Sequence, residues 1–271
     1  MNNTAIPAGI IFFLCFCVLS SCVSFKNPSD TPVNAGAGTM KEQSASGYWV
    51  SQPSGNTLTV IGVSSPMVKR DSELEAAKED AARKVSLFNG VQGTIETFSK
   101  SGSAGYFDFI NQSNVNLVYD TNYDKYISQL KFDPDKDVYK SDNAVFVRFT
   151  YSTAVDDMQY TSVTDTNGNP GWVNYRNLPQ ISGYNVAVGF AQKQRWVKDT
   201  ISKSVDAAVA RMIEDMSTRV EASDLAQSGY GSSGTISTRS EGKLTDFVVL
   251  EFWVEPGTGN VYTLAAAKSA M

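Results

Sequence analysis

Residues 58–88 read LTVIGVSSPMVKRDSELEAAKEDAARKVSLF, and this stretch decides the fold. It begins with a short apolar run that ends at Gly62, passes a polar gap and continues into an alanine-rich segment. Ser72 followed by Glu75 matches a capping box, which predicts that a helix begins there. The segment carries one apolar stripe with a period of about 3.6 residues, formed by Leu74, Ala77, Ala81, Val85 and Phe88. The stretch therefore predicts a buried strand followed by a long amphipathic helix.

Two pairs of opposite charges lie four residues apart on this helix. They are Glu79 with Arg83 and Asp80 with Lys84. Side chains at this spacing are neighbours on a helix surface, so each pair can form an ion pair. The sequence predicts both pairs on the solvent side of the helix.

A second stretch repeats this arrangement. Asn185-Val-Ala-Val-Gly189 is another apolar run that ends in glycine, and a second amphipathic helix follows it, with Asp199 as its predicted N-cap. Its apolar stripe consists of Ile201, Val205, Ala208, Met212, Met216 and Val220. Downstream of the two helices, residues 144–151 and 247–254 both read as strands rich in aromatic and β-branched residues. The shared order favours internal duplication.

We therefore predict an α+β fold of two tandem strand–helix–antiparallel-sheet units, each with a long amphipathic helix packed on a sheet. The predicted divisions are a lipoprotein signal peptide at residues 1–21, a flexible tether at 22–46, a first repeat at 47–155 with an insert at 92–142, a linker at 156–169, and a second repeat at 170–271. In the second repeat, residues 228–242 are rich in glycine and serine, which predicts a loop.

The closing strand of the second repeat is apolar on both faces. Alternation would place Val248, Leu250, Phe252 and Val254 towards the helix, yet the opposite face is also apolar except for Glu251. An antiparallel sheet with one face in water alternates more cleanly than this. We therefore expect either that the two sheets approach each other or a shared neighbour, which would place Arg148 of the first repeat near Glu251, or that an identical subunit covers this face.

The amino terminus predicts lipidation. Residues 1–21 carry no charge and contain an apolar core that is too short to span a bilayer. Leu19-Ser20-Ser21-Cys22 then resembles a bacterial lipobox, with cleavage between Ser21 and Cys22 and acylation of the Cys22 thiol. The alternative is an ordinary secretory signal with an incidental cysteine, which would leave one unpaired thiol in a secreted protein. The tether has an r.m.s. reach of roughly 25–30 Å, which would hold the folded part close to the lipid surface.

Composition argues against several classes of function. The net charge is −5 with no basic cluster, so the electrostatic footprint of nucleic-acid binding is missing. The chain has no histidine, which removes the commonest general base and the commonest zinc ligand. With Cys15 and Cys17 inside the predicted signal peptide, no thiol remains for a Cys/His dyad. We expect no catalytic, metal or cofactor-binding residues.

Three short runs resemble ligand-binding motifs. Residues 229–234 read GYGSSG, but this G-x-G-x-x-G run follows a predicted helix instead of a strand, so a mobile loop is expected in place of a nucleotide site. Residues 133–137 and 165–169 resemble the start of calcium loops but lack the later glycine and glutamate. Solvated turns are the expectation there, with a weak calcium site as the alternative.

Glu251 is a candidate for carboxylate-dependent glycan hydrolysis, although pairing with a neighbouring strand explains it better. The four tryptophans, Trp49, Trp172, Trp196 and Trp253, could stack on sugars, although packing in the interior is the default.

Taken together, the chain resembles the LPP-twenty family of bacterial lipoproteins, which includes flagellum-associated outer-membrane lipoproteins of the FlgP kind. The resemblance rests on Leu19-Ser-Ser-Cys22, on Thr59-Val-Ile-Gly62 with the helix at residues 75–83, and on residues 252–264. It implies a small α+β unit that is anchored to the outer membrane and has no enzymatic activity. The tandem arrangement and the insert at 92–142 depart from the family's single unit.

The sequence therefore favours a membrane-anchored lipoprotein of the cell envelope, in the outer membrane, with a structural or assembly role. Its expected partners are the membrane, through the lipid on Cys22, and envelope proteins or further copies of itself. The alternative is a binding module for an envelope glycan, a peptide or a small ligand. A more distant alternative is a carboxylate-dependent glycan hydrolase.

Overall fold

The computed structural model describes residues 48–50, 55–100, 112–158, 160, 164, 169–175, 177–225 and 235–270. The helices are α1 (Arg70–Asn89), α2 (Asp124–Ile127) and α3 (Val197–Leu225), and Gly171–Asn174 forms a turn of 3-10 helix. The strands are β1 (Tyr48–Val50), β2 (Thr57–Ser64), β3 (Val91–Lys100), β4 (Gln112–Tyr119), β5 (Val138–Lys140), β6 (Val145–Ser152), β7 (Asn185–Ala191), β8 (Thr235–Val254) and β9 (Val261–Ser269).

The strands form two antiparallel sheets. One sheet has the order β4-β3-β8-β9-β7, with β1 paired alongside the end of β8. The other has the order β2-β6-β5. The predicted α+β class is therefore confirmed. Strands β3 and β4 come from the predicted insert, yet they extend the sheet that also contains β7, β8 and β9.

One predicted equivalence between strands is wrong. Residues 144–151 and 247–254 were expected to occupy the same place in the two repeats. In the structure β6 pairs with β2, the strand before α1, whereas β7, the strand before α3, pairs with β9. The alanine-rich run Leu264–Ala267 in β9 lacks the aromatic signature of a sheet strand, although all of it is buried. Small residues there leave space for neighbouring side chains. Because the prediction relied on aromatic and β-branched residues, it selected β8 instead of β9.

Each long helix touches a glycine of the strand that precedes it. A methyl group at Gly62 would lie 2.0 Å from the backbone oxygen of Ala77, and one at Gly189 would lie 1.9 Å from that of Ser204. Real methyl groups do not approach backbone atoms this closely, so only glycine permits the contact. Ala77 follows Gly62 by 15 positions, and Ser204 follows Gly189 by the same 15.

From Phe247 to Trp253, both faces of β8 are covered within the chain itself. Val248 and Leu250 belong to a hydrophobic cluster around α1, while Phe247, Val249 and Phe252 belong to a second cluster around α3. Val248 and Leu250 therefore do not face α3, the helix of their own repeat, as predicted, whereas Phe252 does. The single alternation is broken because the register of β8 against β9 shifts between Val249 and Glu251, which puts Phe252 on the face opposite to Leu250.

Three element boundaries also differ from expectation. Helix α1 begins at Arg70, without a side-chain cap at its first residue. The Glu73 carboxylate instead accepts the backbone N–H of Met67 at 2.8 Å, which stabilises the start of the helix. Helix α3 begins at Val197, so Asp199 lies inside its first turn. The predicted loop at residues 228–242 is strand from Thr235 onwards, because it pairs in register with β3.

Candidate functional site

A groove of about 740 Å³ lies between the start of β7 and helix α3. One wall is the segment of residues 178–182 before β7, and the opposite wall is one turn of α3 around Asp215. The lining residues are Leu178, Pro179, Gln180, Ile181, Ser182, Tyr184, Asn185, Val186, Met212, Asp215 and Met216. Small-molecule sites occupy about 300–1,000 Å³, so this groove has the size of a ligand site.

Apolar and polar groups share the walls of the groove. Met212 and Met216, one helical turn apart on α3, line the groove together with Ile181 and Val186. Methionine side chains are flexible and polarisable, so such a wall adapts to ligands of different shapes. Gln180, Ser182 and Asn185 add hydrogen-bonding groups. The chemistry suits a ligand with apolar parts and with polar atoms along one side.

One rim of the groove is built around Tyr184. Its hydroxyl donates to the Asp156 carboxylate at 3.1 Å, and the Lys268 ammonium lies 5.0 Å from the centre of its ring. Lys268 is 2.8 Å from a carboxylate oxygen of Asp156 and 2.8 Å from one of Asp246. Partial burial raises the pKa of Tyr184 to about 12, although Lys268 opposes this. The tyrosine is therefore a neutral hydrogen-bonding group at physiological pH.

The other rim carries the charges of α3. Asp215 lines the groove and pairs with Arg211 at 3.3 Å, with both side chains more than half exposed. Glu214 lies next to them, and burial raises the pKa of its carboxyl against the opposing effect of Arg211. Exposed pairs of this kind contribute little to stability. Because the pair is exposed and Asp215 lines the groove, its carboxylate can also contact a ligand.

The Asp80–Lys84 pair is formed, but its predicted position on the solvent side is wrong. Both side chains are buried, with the ammonium 2.6 Å from the carboxylate. Asp80 also accepts the N–H of Val63 at 2.9 Å, and Lys84 donates to the carbonyl of Ile61 at 2.6 Å. Burial lowers the pKa of Lys84 in spite of Asp80. The pair supplies hydrogen bonds to the edge of β2 that does not face β6, so its role is structural.

Arg83 pairs with Asp206 of α3 instead of the predicted Glu79. Its guanidinium also donates to the Tyr119 hydroxyl at 3.1 Å and lies over that ring. Burial lowers the pKa of Arg83, but Asp206 and Tyr119 outweigh it and the pKa is raised overall. Arg83 thereby connects α1, α3 and β4. This contact joins residues 123 positions apart, and helical spacing alone could not reveal it.

Glu251, the carboxylate considered for glycan hydrolysis, lies in the interior and is 1% exposed. It accepts a hydrogen bond from the indole N–H of Trp172, which is 2% exposed. The expected approach of Arg148 to Glu251 is wrong, because Arg148 binds Asp137 at 2.6 and 2.8 Å. Burial at this depth leaves a sugar no access to Glu251.

The tryptophans divide between the interior and the surface. Trp172 and Trp253 are buried, while Trp196 is 43% exposed and carries the Arg195 guanidinium 5.3 Å from the centre of its ring. The side chain of Trp49 lies outside the described residues. Stacking on a ligand by the described tryptophans is therefore restricted to Trp196.

The first calcium-loop-like segment, residues 133–137, is a turn, as expected. Asp133 accepts the N–H of Asp135 at 3.0 Å, and Asp137 accepts the N–H of Asp133 at 2.8 Å as well as the guanidinium of Arg148. The described residues contain no cluster of three or more metal-ligating side chains. Most of the second candidate, and the GYGSSG run at residues 229–234, lie outside the part of the chain that the structure describes.

The predicted signal-cleavage residues, Ser21 and Cys22, also lie outside the described residues. In the described part of the chain, no helix is both long and apolar enough to cross a membrane. Comparisons of the chain with protein-family models, with curated proteins and with solved structures find no match.

Proposed function

We propose that this chain is a lipid-anchored protein of the cell envelope, in the outer membrane, with a structural or assembly role. The observation that carries the proposal is Leu19-Ser-Ser-Cys22 at the end of an uncharged apolar segment, followed by a tether at residues 22–46. The resemblance to the LPP-twenty family belongs to the same proposal. It rests on the lipobox and on the strand–helix stretch from Thr59 to Arg83.

The use of charge in the folded part supports a role other than catalysis. The buried carboxylates Glu73 and Asp80 are each held by a lysine and by a backbone N–H. The buried Glu251 is held by an indole N–H. Catalytic groups are usually exposed to a cleft and have pKa values shifted towards neutrality. These carboxylates instead fasten strands, helices and loops to one another.

We also propose that the two strand–helix units arose by duplication. The supporting pattern is β2-α1-β5-β6 with the pairing order β2-β6-β5, and β7-α3-β8-β9 with the order β7-β9-β8. In both sets the last strand of the three pairs with the other two, although β3 and β4 come between α1 and β5 in the chain and β8 also pairs with β3. The equal 15-residue intervals from Gly62 to Ala77 and from Gly189 to Ser204 support the same alignment.

The anchor is tested by replacing its thiol. Cys22→Ala removes the acceptor for the lipid, so the protein should leave the membrane pellet and remain soluble after cell fractionation at alkaline pH. Cys17→Ala is the matched control, because that residue lies in the segment to be removed and its loss should leave the protein in the pellet. A Cys22→Ala variant that stays in the washed membrane would contradict the proposal.

A second candidate function is ligand binding, and the groove beside α3 favours it. A cavity of this size that is lined by apolar residues, including two methionines, and by a few hydrogen-bonding groups is typical of a binding site. Binding to the folded state would raise the melting temperature by mass action. A thermal-shift series with envelope glycans, peptides and small amphiphiles tests this function, and no shift with any of them would refute it.

A further inference from the structure

The groove lies at the start of an edge strand. Strand β7 is the last strand of its sheet and pairs only with β9 among the described strands. Asn185 and Val186, the first residues of β7, line the groove. The backbone N–H and C=O groups of an edge strand can form hydrogen bonds with an added strand. An extended peptide is therefore the occupant whose backbone matches this floor.

The lining of the groove indicates which side chains the peptide should carry. Successive residues of an extended peptide point in opposite directions. One set would meet the apolar lining of the groove, where Met216 is the half-buried methionine and Met212 and Ile181 lie deeper, while the other set would point towards the rims. This arrangement fits a peptide in which apolar residues alternate with polar or charged ones.

The charged residues at the two rims indicate which charge the bound peptide should carry. In the described part of the chain, the charged groups at Tyr184 are Asp156, Asp246 and Lys268, and those at the helix rim are Arg211, Glu214 and Asp215. Four carboxylates thus surround two cations. The described charges at the groove therefore sum to a negative value, which attracts a positively charged partner.

From this geometry we infer that the groove binds an extended segment of a partner protein in which apolar residues alternate with lysine or arginine, added as a strand to β7. The inference rests on the second candidate function, since it names the class of ligand for that groove. The apolar side chains would contact the methionines of α3, and a basic side chain would pair with Asp215. Main-chain hydrogen bonds would supply affinity, while the rims would supply specificity.

The test uses full-length protein in phosphatidylcholine nanodiscs and two fluorescent nine-residue peptides, one alternating leucine with lysine and one alternating leucine with glutamate. Fluorescence anisotropy gives the affinity of each peptide, with empty nanodiscs as the blank. The leucine–lysine peptide should bind at least ten times more tightly than its acidic counterpart. Methylating alternate backbone nitrogens on its strand-pairing edge should abolish binding, because the added strand then loses its donors.

The matched variants are Asp215→Lys and Asp142→Lys. Both reverse one exposed carboxylate, but Asp142 lies in the turn between β5 and β6 and does not line the groove. Asp215→Lys should lower the affinity for the basic peptide about tenfold, which equals about 1.4 kcal/mol. Asp142→Lys should change that affinity less than twofold. Thermal melts of both variants check that each is folded.

Three results would overturn the inference. The first is equal affinity for the two peptides. The second is an affinity for the basic peptide that Asp215→Lys does not change. The third is no binding of either peptide at millimolar concentration. A neutral amphiphile, octyl glucoside, separates this failure from failure of the broader function. If octyl glucoside raises the melting temperature of the protein and the basic peptide does not, the groove is a binding site with a different ligand. If neither does, the inference fails, and the wider thermal-shift series with envelope glycans and other peptides decides whether the binding function fails as well.

Discussion

At the scale of single residues, Gly62 and Gly189 set the distance between strand and helix in the two units. A side chain at Gly189 would meet the backbone of Ser204 and Ala208, which cannot move without shifting α3. A methyl group at Gly242 would meet instead the ends of the Met216 and Ile213 side chains, at 3.0 and 3.2 Å. The identity of the neighbouring atoms therefore decides the cost of adding one carbon.

We expect Gly189→Ala to lower the free energy of unfolding by about 3 kcal/mol, since overpacking against rigid neighbours costs about 1–3 kcal/mol or more. Gly62→Ala should cost a similar amount if the two units are equivalent. Gly242→Ala, the control on β8 under the same helix α3, should cost less than about 1 kcal/mol because side-chain ends can rotate away. Urea denaturation measures all three, and equal costs at Gly189 and Gly242 would contradict the packing described.

The buried Asp80–Lys84 pair supports a second prediction at this scale. Lys84→Met removes the cation and leaves the Asp80 carboxylate buried, so it should cost about 3–5 kcal/mol of stability. Adding Asp80→Asn to Lys84→Met should recover part of the loss, because a neutral amide can still accept the N–H of Val63. A double-mutant cycle by urea denaturation measures this. A double variant that is less stable than Lys84→Met alone would contradict the role assigned to the pair.

Part of this pair could be predicted from the sequence and part could not. The spacing of four residues identified the partners correctly. Their burial also had a signal, because Ala77, Ala81 and Lys84 follow one another at helical spacing on the same face. Charged side chains usually indicate exposure, but the edge of β2 that does not face β6 requires polar partners in the interior. The pairing of Arg83 with Asp206 had no local signal at all.

At the scale of elements, Glu73 fastens the start of α1 to the β2–α1 loop and to β5. It is buried, accepts the N–H of Met67 at 2.8 Å, and binds Lys140 at 2.8 Å and Arg70 at 3.0 Å. Burial alone would raise its pKa, but Lys140, Met67 and Arg70 together lower it to about 2. The ionised form is thus strongly favoured in the folded protein.

A carboxyl whose pKa is lower in the folded than in the unfolded protein stabilises the fold above its unfolded pKa. This contribution should be complete above pH 4.5, the ordinary value, and should disappear as the pH falls towards about 2. Glu73→Gln should cost about 2 kcal/mol at pH 7, since hydrogen bonds to charged groups contribute about 1.5–3 kcal/mol each.

The measurement is urea denaturation of Glu73→Gln and of the parent between pH 7 and pH 2, with Glu75→Gln, an exposed residue of the same helix, as the control. The difference between Glu73→Gln and the parent should shrink below pH 4.5. A difference that stays constant down to pH 2 would show that Glu73 is not held ionised in the way its contacts indicate.

The elements themselves were largely predictable, but their pairing was not. Periodicity located both long helices and the strands at residues 145–152 and 247–254, because each buries one or both faces. The choice of neighbour in a sheet depends on contacts far apart in sequence, which is why β9 was not recognised as the partner of β7. The register shift in β8 likewise depends on the path of β9 and leaves no mark in the alternation of apolar residues.

At the scale of the whole molecule, the groove beside α3 is a product of tertiary structure. Its walls come from residues 178–186 and 212–216, two segments that carry no binding motif and are separated by most of β7 and half of α3. Met212 and Met216 were assigned to the apolar stripe of the helix, and Met212 is buried. Nothing in that stripe distinguishes a residue that packs on the sheet from one that also lines a groove.

The position of the protein in the cell rests on the chemistry of one thiol. Mass spectrometry of the amino-terminal peptide, from protein purified out of the envelope, tests this most directly. The account predicts a chain that begins at Cys22 and carries a diacylglyceryl group on its sulfur. A peptide that retains residues before Cys22, or one with an unmodified Cys22 thiol, would contradict it.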